Sequence, residues 1–360
     1  MNSQENFYDV IVVGAGPGGS AAAEKCGEYG LKTLIIEKEK LPRDKPCGGM
    51  YSGYIKELIE LYGSEINDLV ERRTDRVKIY LDQKIIFSEN YSIDSFLRKK
   101  LDYFITKGAI RAGAKVMDNC RVIDIIINSK EVRVFTEKGI FVSKIIIGAD
   151  GVNSIVAKKI GLNKGWGRND VSLAMESEIK MSNKEIEKRF GNCTIIYTYS
   201  NFLGYEWVIP KNGCVNIGLG TSVSKSSDLK EQFVALAKRL NIEMKTKDIK
   251  AHMIPLRMLK KTYKERALLC GDAGGFTYPL TGGGIETAIK SGRAAADICN
   301  EAVENNDFSL KMFKKYESYC SYFVKEIKKS RLQLSILEFC MKYKLINRYL
   351  VDKFFRFMVK

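Results

Sequence analysis

This chain of 360 residues predicts a mixed α/β (α+β) fold: a parallel-sheet domain interwound with an antiparallel-sheet domain, and helices at the C-terminal end. Three observations carry that prediction. The apolar run 10–13 opens directly into Gly14-x-Gly16-x-x-Gly19 and a stretch of small residues, as a strand, a tight turn and a closely packed helix would. Two later apolar runs, 145–147 and 267–269, also end in glycine with an aspartate close behind: Gly148-Ala149-Asp150-Gly151 and Gly271-Asp272-Ala273-Gly274-Gly275. Alternating segments of antiparallel type lie between them, and no linker separates the two kinds of signal.

Residues 8–37 read as one βαβ unit. Residues 10–13 are a buried strand, 17–29 a helix, and 33–36 a second buried strand. Ser20, Ala21, Ala22 and Ala23 let that helix sit close to a sheet. Residues 41–52, rich in Pro, Gly and charge, read as a loop. Residues 77–92 alternate, 98–112 have helical spacing, and 114–142 alternate again. A β-rich stretch covers 172–221 with a turn at Lys211-Asn212-Gly213. Residues 228–240 and 285–303 read as helices, and the remainder is helical and basic. The expected domains are a nucleotide-binding domain (1–75, 95–170 and 260–305), a substrate-binding β-sheet domain (76–94 and 171–259), and a helical segment (306–360).

Composition narrows the class. With 45% hydrophobic and 28% charged residues the chain suits a globular protein with a sizeable core. It has no apolar run of about 18 residues, so no membrane span is expected. Residues 1–8 are polar and do not read as a signal peptide. The nine cysteines form no C-x-x-C pair and His252 is the single histidine, so no zinc site is expected. Scattered single thiols point to a reducing cytoplasm. The net charge of +16 suits an anionic partner and equally a lysine-rich solubilising surface.

Each glycine of the first motif has a physical task. Gly14 turns out of the strand, Gly16 lets backbone approach a pyrophosphate, and Gly19 seats the helix on the strand. The backbone at Ala15 and Gly18 lies in the same turn, and the helix N-terminus presents N–H groups to phosphates. Glu37 ends the second strand at the interval where a carboxylate reaches ribose hydroxyls, and it disfavours a 2′-phosphate.

The later segments select the cofactor. Together with Arg98 in Arg98-x-x-Leu101-Asp102-x-x-Ile105, they resemble the FAD-dependent fold shared by p-hydroxybenzoate hydroxylase and its relatives. The resemblance implies FAD. It places Asp150 at the second glycine turn, Val122 beside the adenine, Arg98 at the cofactor and Asp272 on the ribityl chain. Gly282, Gly283, Gly284 and Ile285 would present N–H groups to the pyrimidine edge of the flavin, a setting that favours a reduced, negative ring.

Two more segments narrow the family. Lys45-Pro46-Cys47-Gly48-Gly49, and Tyr205-x-Trp207-x-x-Pro210-Lys211 followed by Asn216-Ile217-Gly218, are similar to those of geranylgeranyl reductases. That family's longer motif is P-x-x-Y-x-W-x-F-P, and Phe202 and Ile209 replace its first proline and its phenylalanine here. The resemblance covers about residues 8–300. It implies an enzyme that saturates C=C bonds of a geranylgeranyl or polyprenyl group on a membrane lipid or an isoprenoid precursor. Tyr205 and Trp207 would wall an apolar path for the prenyl chain. Cys47, with Gly48, would contact the flavin or donate a proton to the alkene.

The electron donor is expected to be NADPH or a ferredoxin-like protein, and the substrate a prenyl lipid or prenyl diphosphate. A flavin monooxygenase or halogenase on the same fold is the nearest alternative, because Trp207-Val208-Ile209-Pro210 matches half of a W-x-W-x-I-P motif. A flavoprotein passing electrons to a quinone is the third. Residues 308–360 carry 13 Lys and Arg against 4 Asp and Glu, interleaved with bulky apolar residues that include Phe354, Phe355 and Phe357. That pattern fits helices on an anionic membrane surface, for a cytoplasmic, peripherally bound protein, and it fits helices capping a core. No nucleic-acid-binding module is expected.

Overall fold

The computed structural model of the protein describes residues 7–52, 55–345 and 349. Its strands in chain order are β1 (Phe7–Val13), β2 (Thr33–Ile36), β3 (Met50–Ser52), β4 (Val70–Leu81), β5 (Lys84–Phe96), β6 (Lys115–Met117), β7 (Val122–Ile127) and β8 (Val132–Thr136). They continue as β9 (Gly139–Gly148), β10 (Val171–Lys180), β11 (Cys193–Tyr199), β12 (Phe202–Pro210), β13 (Cys214–Ser222), β14 (Lys250–Pro255), β15 (Tyr263–Lys264) and β16 (Ala267–Leu269). The helices are α1 (Pro17–Glu28), α2 (Lys56–Tyr62), α3 (Arg98–Arg111), α4 (Ile155–Lys159), α5 (Asn183–Phe190), α6 (Leu229–Arg239), α7 (Ile285–Glu304), α8 (Leu310–Lys314), α9 (Tyr316–Tyr319) and α10 (Ser321–Lys342). Mixed α/β architecture, with parallel and antiparallel sheets and C-terminal helices, is therefore what the chain adopts.

The chain forms two compact units. One comprises Met1–Arg43, Asp102–Gly167 and Pro255–Arg331, the other Asp44–Leu101, Arg168–Ile254 and Leu332–Lys360. Residues 44–75 and 95–101, expected with the nucleotide-binding domain, fall in the second unit. There β3 pairs with β5, and β4 pairs with both β5 and β11. The start of β4 hides its strand character because Glu71, Arg72 and Arg73 break the apolar alternation, while Arg73 spends its charge on Asp94 at 2.6 Å.

In the first unit β16, β9, β1, β2 and β6 lie side by side in parallel. The β7–β8 hairpin joins through β9. Val10, Val12, Ile35, Ile145 and Ile147 pack with small residues of α1 and α7 on one face. Ile11, Val13, Leu34, Ile36 and Ile146 pack with α4 and the hairpin on the other. Burial on both faces makes such strands read as continuous apolar runs. The expected strand 145–147 is only the end of the 10-residue β9, whose earlier part alternates because it lies against the hairpin.

Helices α1 and α7 run parallel. A Cβ on Gly18 would lie 2.9 Å from the Ala288 carbonyl, Lys25 pairs with Asp297 at 2.5 Å, and the Tyr29 hydroxyl donates to Asp297 at 2.6 Å. Contacts advance together along both helices, so their N-termini lie at one end. Met312, Phe313, Tyr316, Phe323 and Ile327 of α8, α9 and α10 are buried in the same core as Phe276. The Tyr316 hydroxyl donates to the Leu269 and Ser291 carbonyls at 3.1 and 2.9 Å. This part of the basic segment caps a core. Phe354, Phe355 and Phe357 lie outside the described residues. Among the described residues no helix is long and apolar enough to cross a membrane.

The second unit is a single sheet in the order β14-β10-β13-β12-β11-β4-β5-β3. Val208, Val215, Ile217 and Leu219 point to one face and pack on Ile186 and Phe190 of α5 and Leu229, Phe233 and Ala237 of α6. Val77, Ile79, Ile196, Trp207 and Ile209 form a cluster on the other.

Candidate active site

The first unit builds a nucleotide cradle. Gly14 has φ of 102°, and a Cβ there would lie 2.5 Å from the Ala149 carbonyl, so the turn admits only glycine. At Gly16 an added Cβ would meet nothing closer than the Arg43 guanidinium at 3.5 Å. Helix α1 follows with Pro17 at its first position and no side chain capping it, leaving its first-turn N–H groups without intrahelical acceptors.

Glu37 is 4% exposed at the end of β2. Its Oε2 accepts the Ala15 N–H at 2.8 Å and its Oε1 accepts the Glu39 N–H at 3.0 Å. Arg43 Nε lies 3.3 Å from Oε2, and Arg43 Nη1 lies 3.4 Å from Asp102. Two donors fill Oε2, and Oε1, with one, keeps acceptor capacity for a ribose hydroxyl. Cys120 N–H donates to the Glu37 carbonyl at 2.9 Å, which brings buried Val122, at the start of β7, close to the same corner. Arg43 escapes sequence reasoning because one arginine in a charged loop looks like any surface cation.

Asp150 follows β9. Its Oδ1 accepts the Ser154 hydroxyl at 2.6 Å, and its Oδ2 accepts the Ile155 and Val156 N–H groups at 2.7 and 3.2 Å. Burial pushes its carboxyl up despite these bonds. Both oxygens serve the start of α4, so the contribution of Asp150 here is to hold the turn.

Asp272 lies in a single helical turn after β16, and the Thr277 hydroxyl donates to its Oδ1 at 3.2 Å. The chain then loops through Gly282 and Gly283 into α7. The Gly283 N–H is taken by Thr281 Oγ1 at 3.2 Å. Gly284 caps α7 with no side-chain partner, and a Cβ on it would come no closer than 3.5 Å to Asp272 Oδ1 and Thr277. Ile285 opens the helix. One end of this unit thus gathers two helix N-termini and Asp272, and places room at Gly16 and Gly284 where a side chain would otherwise stand. Glu37 adds a buried carboxylate with acceptor capacity left on Oε1. This donor set fits a diphosphate, a ribose and an electron-rich ring, the parts of FAD.

The second unit gathers the other expected residues. Trp207 pairs with Gly218 and Tyr205 with Gly220 across β12 and β13, which puts both rings on one face with centroids 5.8 Å apart. The indole lies flat over Gly218, where an added Cβ would overlap it. The Cys47–Gly48–Gly49 segment sits on this face: a Cβ on Gly48 would be 2.8 Å from Ile209 and 3.5 Å from the indole nitrogen. The Gly49 N–H donates to the Cys47 sulfur at 3.3 Å. Burial pushes the Tyr205 hydroxyl up to about 12, so it stays a neutral hydroxyl. Arg98, at the start of α3, is 6% exposed, which excludes a surface role.

Residues 9–264 match the family described as FAD dependent oxidoreductase. The digeranylgeranylglycerophospholipid reductase of Thermoplasma acidophilum is 32% identical over 340 residues, 86% of this chain and 82% of that protein. The crystal structure of a geranylgeranyl bacteriochlorophyll reductase-like protein from the same organism superposes with a TM-score of 0.82 at 27% identity, over 97% of this chain and 90% of that one. A probable FAD-dependent monooxygenase from Pseudomonas aeruginosa has a TM-score of 0.76 at 16% identity, covering 96% and 99%, and shares the fold.

Proposed function

Since the chain belongs to the FAD-dependent oxidoreductases, within their geranylgeranyl reductase family, we propose that it hydrogenates C=C bonds of a geranylgeranyl or longer polyprenyl chain carried by a membrane lipid or its precursor. The observation that carries this reading is the face of the second unit where Tyr205, Trp207, Cys47 and Gly48 converge. FAD, when bound, supplies hydride from its reduced ring.

The chain's own residues do the rest. The N-terminus of α1 and the Ala15–Gly16 turn hold the diphosphate. Glu37 fixes the adenosine ribose beside Val122, and Asp272 the ribityl chain. The N-terminus of α7, with Gly284 and Ile285, lowers the energy of negative charge on the reduced ring. Arg98 adds positive charge to the cofactor site. Tyr205 and Trp207 give the prenyl chain a flat apolar wall and exclude water from it.

An isolated alkene accepts hydride poorly, so a proton must arrive with it. Cys47 gives its thiol proton to one alkene carbon while the neighbouring carbon takes hydride, and the C=C π pair becomes the new C–H bond to that proton. The thiolate left behind is stabilised by the Gly49 N–H and regains its proton from water. Replacing Cys47 by Ala is expected to lower kcat by about 10²-fold or more with KM little changed. Unchanged kcat would leave Cys47 as a cofactor contact.

Reducing equivalents come from NADPH or a ferredoxin-like protein. The lipid is met at a membrane surface: Leu332, Ile336, Phe339 and Tyr343 of the C-terminal helix and the turn after it are exposed at helical spacing, in a segment rich in lysine. Co-sedimentation with phosphatidylglycerol vesicles, absent with neutral vesicles, tests that surface.

The decisive experiment reduces the FAD-loaded protein with dithionite under anaerobic conditions and adds geranylgeranyl lipids. Mass gains of two hydrogens per bond are expected. No gain with any prenyl compound, together with an oxygen-dependent product from an aromatic, would replace the reductase reading with a monooxygenase.

A further inference from the structure

Three buried side chains on neighbouring strands of the second unit form a hydrogen-bonded chain that the proposed chemistry does not use. Glu176 on β10 and Trp207 on β12 both pair with Gly218 of β13, so they flank it on one face. The indole lies across Gly218 and directs its nitrogen at Asn216, two residues back on the same strand. Trp207 Nε1 donates to Asn216 Oδ1 at 2.7 Å, and Asn216 Nδ2 donates to Glu176 Oε2 at 2.6 Å. Relative exposures are 8% for Trp207, 0% for Asn216 and 4% for Glu176, so water is no substitute partner.

The polarity of this chain is fixed from one end. An indole nitrogen only donates, so Asn216 must turn its oxygen toward Trp207. Its amide hydrogens then face Glu176 and need an acceptor. An ionised carboxylate is acceptor-only and meets that need. A protonated carboxyl also carries a donor, which competes for Asn216 Oδ1 and frees the indole.

The surroundings make that change reachable. Burial is the main influence and pushes the Glu176 carboxyl up to about 7, with the Asn216 bond opposing it. Glu178, next but one on β10, pushes further up. Lys250 of β14 and Lys211 beyond β12 pull down. Lys211 is itself paired with Glu178, and Lys250 with Asp44, so neither is committed to Glu176.

We propose that Glu176, acting through Asn216, is a positioning residue: its ionised carboxylate locks the Trp207 indole across Gly218, and its protonation releases it. In catalysis this makes Glu176 a determinant of prenyl-chain binding, a consequence that rests on the role given to Trp207 above. It is not a proton donor to the substrate, since an amide separates it from the indole.

Indole-¹⁵N tryptophan labelling tests the lock without substrate. The chain has two tryptophans, so the Trp166→Phe variant leaves one indole cross-peak, from Trp207. That peak is expected to move upfield as the pH falls from 8.5 to 5.5, with an inflection near 7. Glu176→Gln removes the titration and carries an acceptor and a donor at every pH, as the protonated carboxyl does, so its peak should stay constant at the low-pH position. Asn216→Leu cuts the chain in the middle and should also abolish the inflection, so either folded variant decides. In turnover, Glu176→Ala should raise KM for the prenyl substrate roughly fivefold, the worth of one hydrogen bond, with kcat little changed; Glu176→Gln, which carries a competing donor as the protonated carboxyl does, should raise KM at every pH, whereas the unmutated protein shows the rise only as the pH falls through about 7. A Trp207 peak that does not titrate, or an inflection that survives Glu176→Gln, would overturn the proposal. A titrating peak in a protein that hydrogenates no prenyl compound would leave the lock standing and remove the substrate reading.

Discussion

The carbonyl of Gly18 occupies the space that a side chain at Gly292 would need. This contact lets α1 and α7 lie side by side with both N-termini at the cofactor end. A methyl at Gly292 must push backbone, not a flexible side chain, so Gly292→Ala is expected to cost about 1–3 kcal/mol. Thermal denaturation should show the loss, and flavin absorbance of the purified variant should fall with it. Full FAD content at normal Tm would mean that the helix pair tolerates separation.

Glu37 is held by two backbone N–H groups and Arg43 before any ribose arrives. Glu37→Ala removes the acceptor for the ribose and leaves Arg43 paired with Asp102 alone. The Kd for FAD should rise by about 10- to 100-fold, as losing bonds to a charged acceptor does. Quenching of flavin fluorescence during titration of the apoprotein measures it.

A methyl at Gly218 would stand inside the Trp207 ring. Gly218→Ala should therefore swing the indole away while leaving the first unit intact. Prenyl turnover should drop about tenfold or more, with FAD content unchanged. Equal losses of flavin and turnover would point to misfolding instead.

Glu24 of α1 is pushed up to about 7, mainly by burial, with Arg293 3.9 Å away as a weak counter-charge. A folded-state value above the ordinary 4.5 means that the native state holds a proton that the unfolded chain releases. Its stabilising contribution is complete below pH 4.5 and fades as the pH rises to about 7. Glu24→Gln should raise Tm at pH 8 and change it little at pH 5. A gain at pH 5 alone would reverse the sign of the argument.

Much of the first unit is readable in the chain because local rules and tertiary structure agree there. Residues 10–13 and 33–36 are apolar without interruption because both faces of their strands are covered, and Gly14 stands where only a positive φ closes the turn. Tyr205 and Trp207 fall on one face because strand periodicity places alternate residues together. What stayed hidden depends on partners far off in sequence. Arg43 gains meaning only beside Glu37 and Asp102, and Glu176 only beside Asn216, 40 positions away. Residues 44–75 carry no strong period of their own, and their place follows from pairing with β5 and β11.

The parallel pairing of α1 with α7 has a consequence for biosynthesis. The second pole of the cofactor cradle leaves the ribosome about 270 residues after the first, the interval from Gly16 to Gly284. Flavin capture is therefore a late event, and until then the glycine turn at the start of the chain must stay open without the ligand it is shaped for. A cell short of FAD would accumulate whole chains, not stalled ones, awaiting their cofactor.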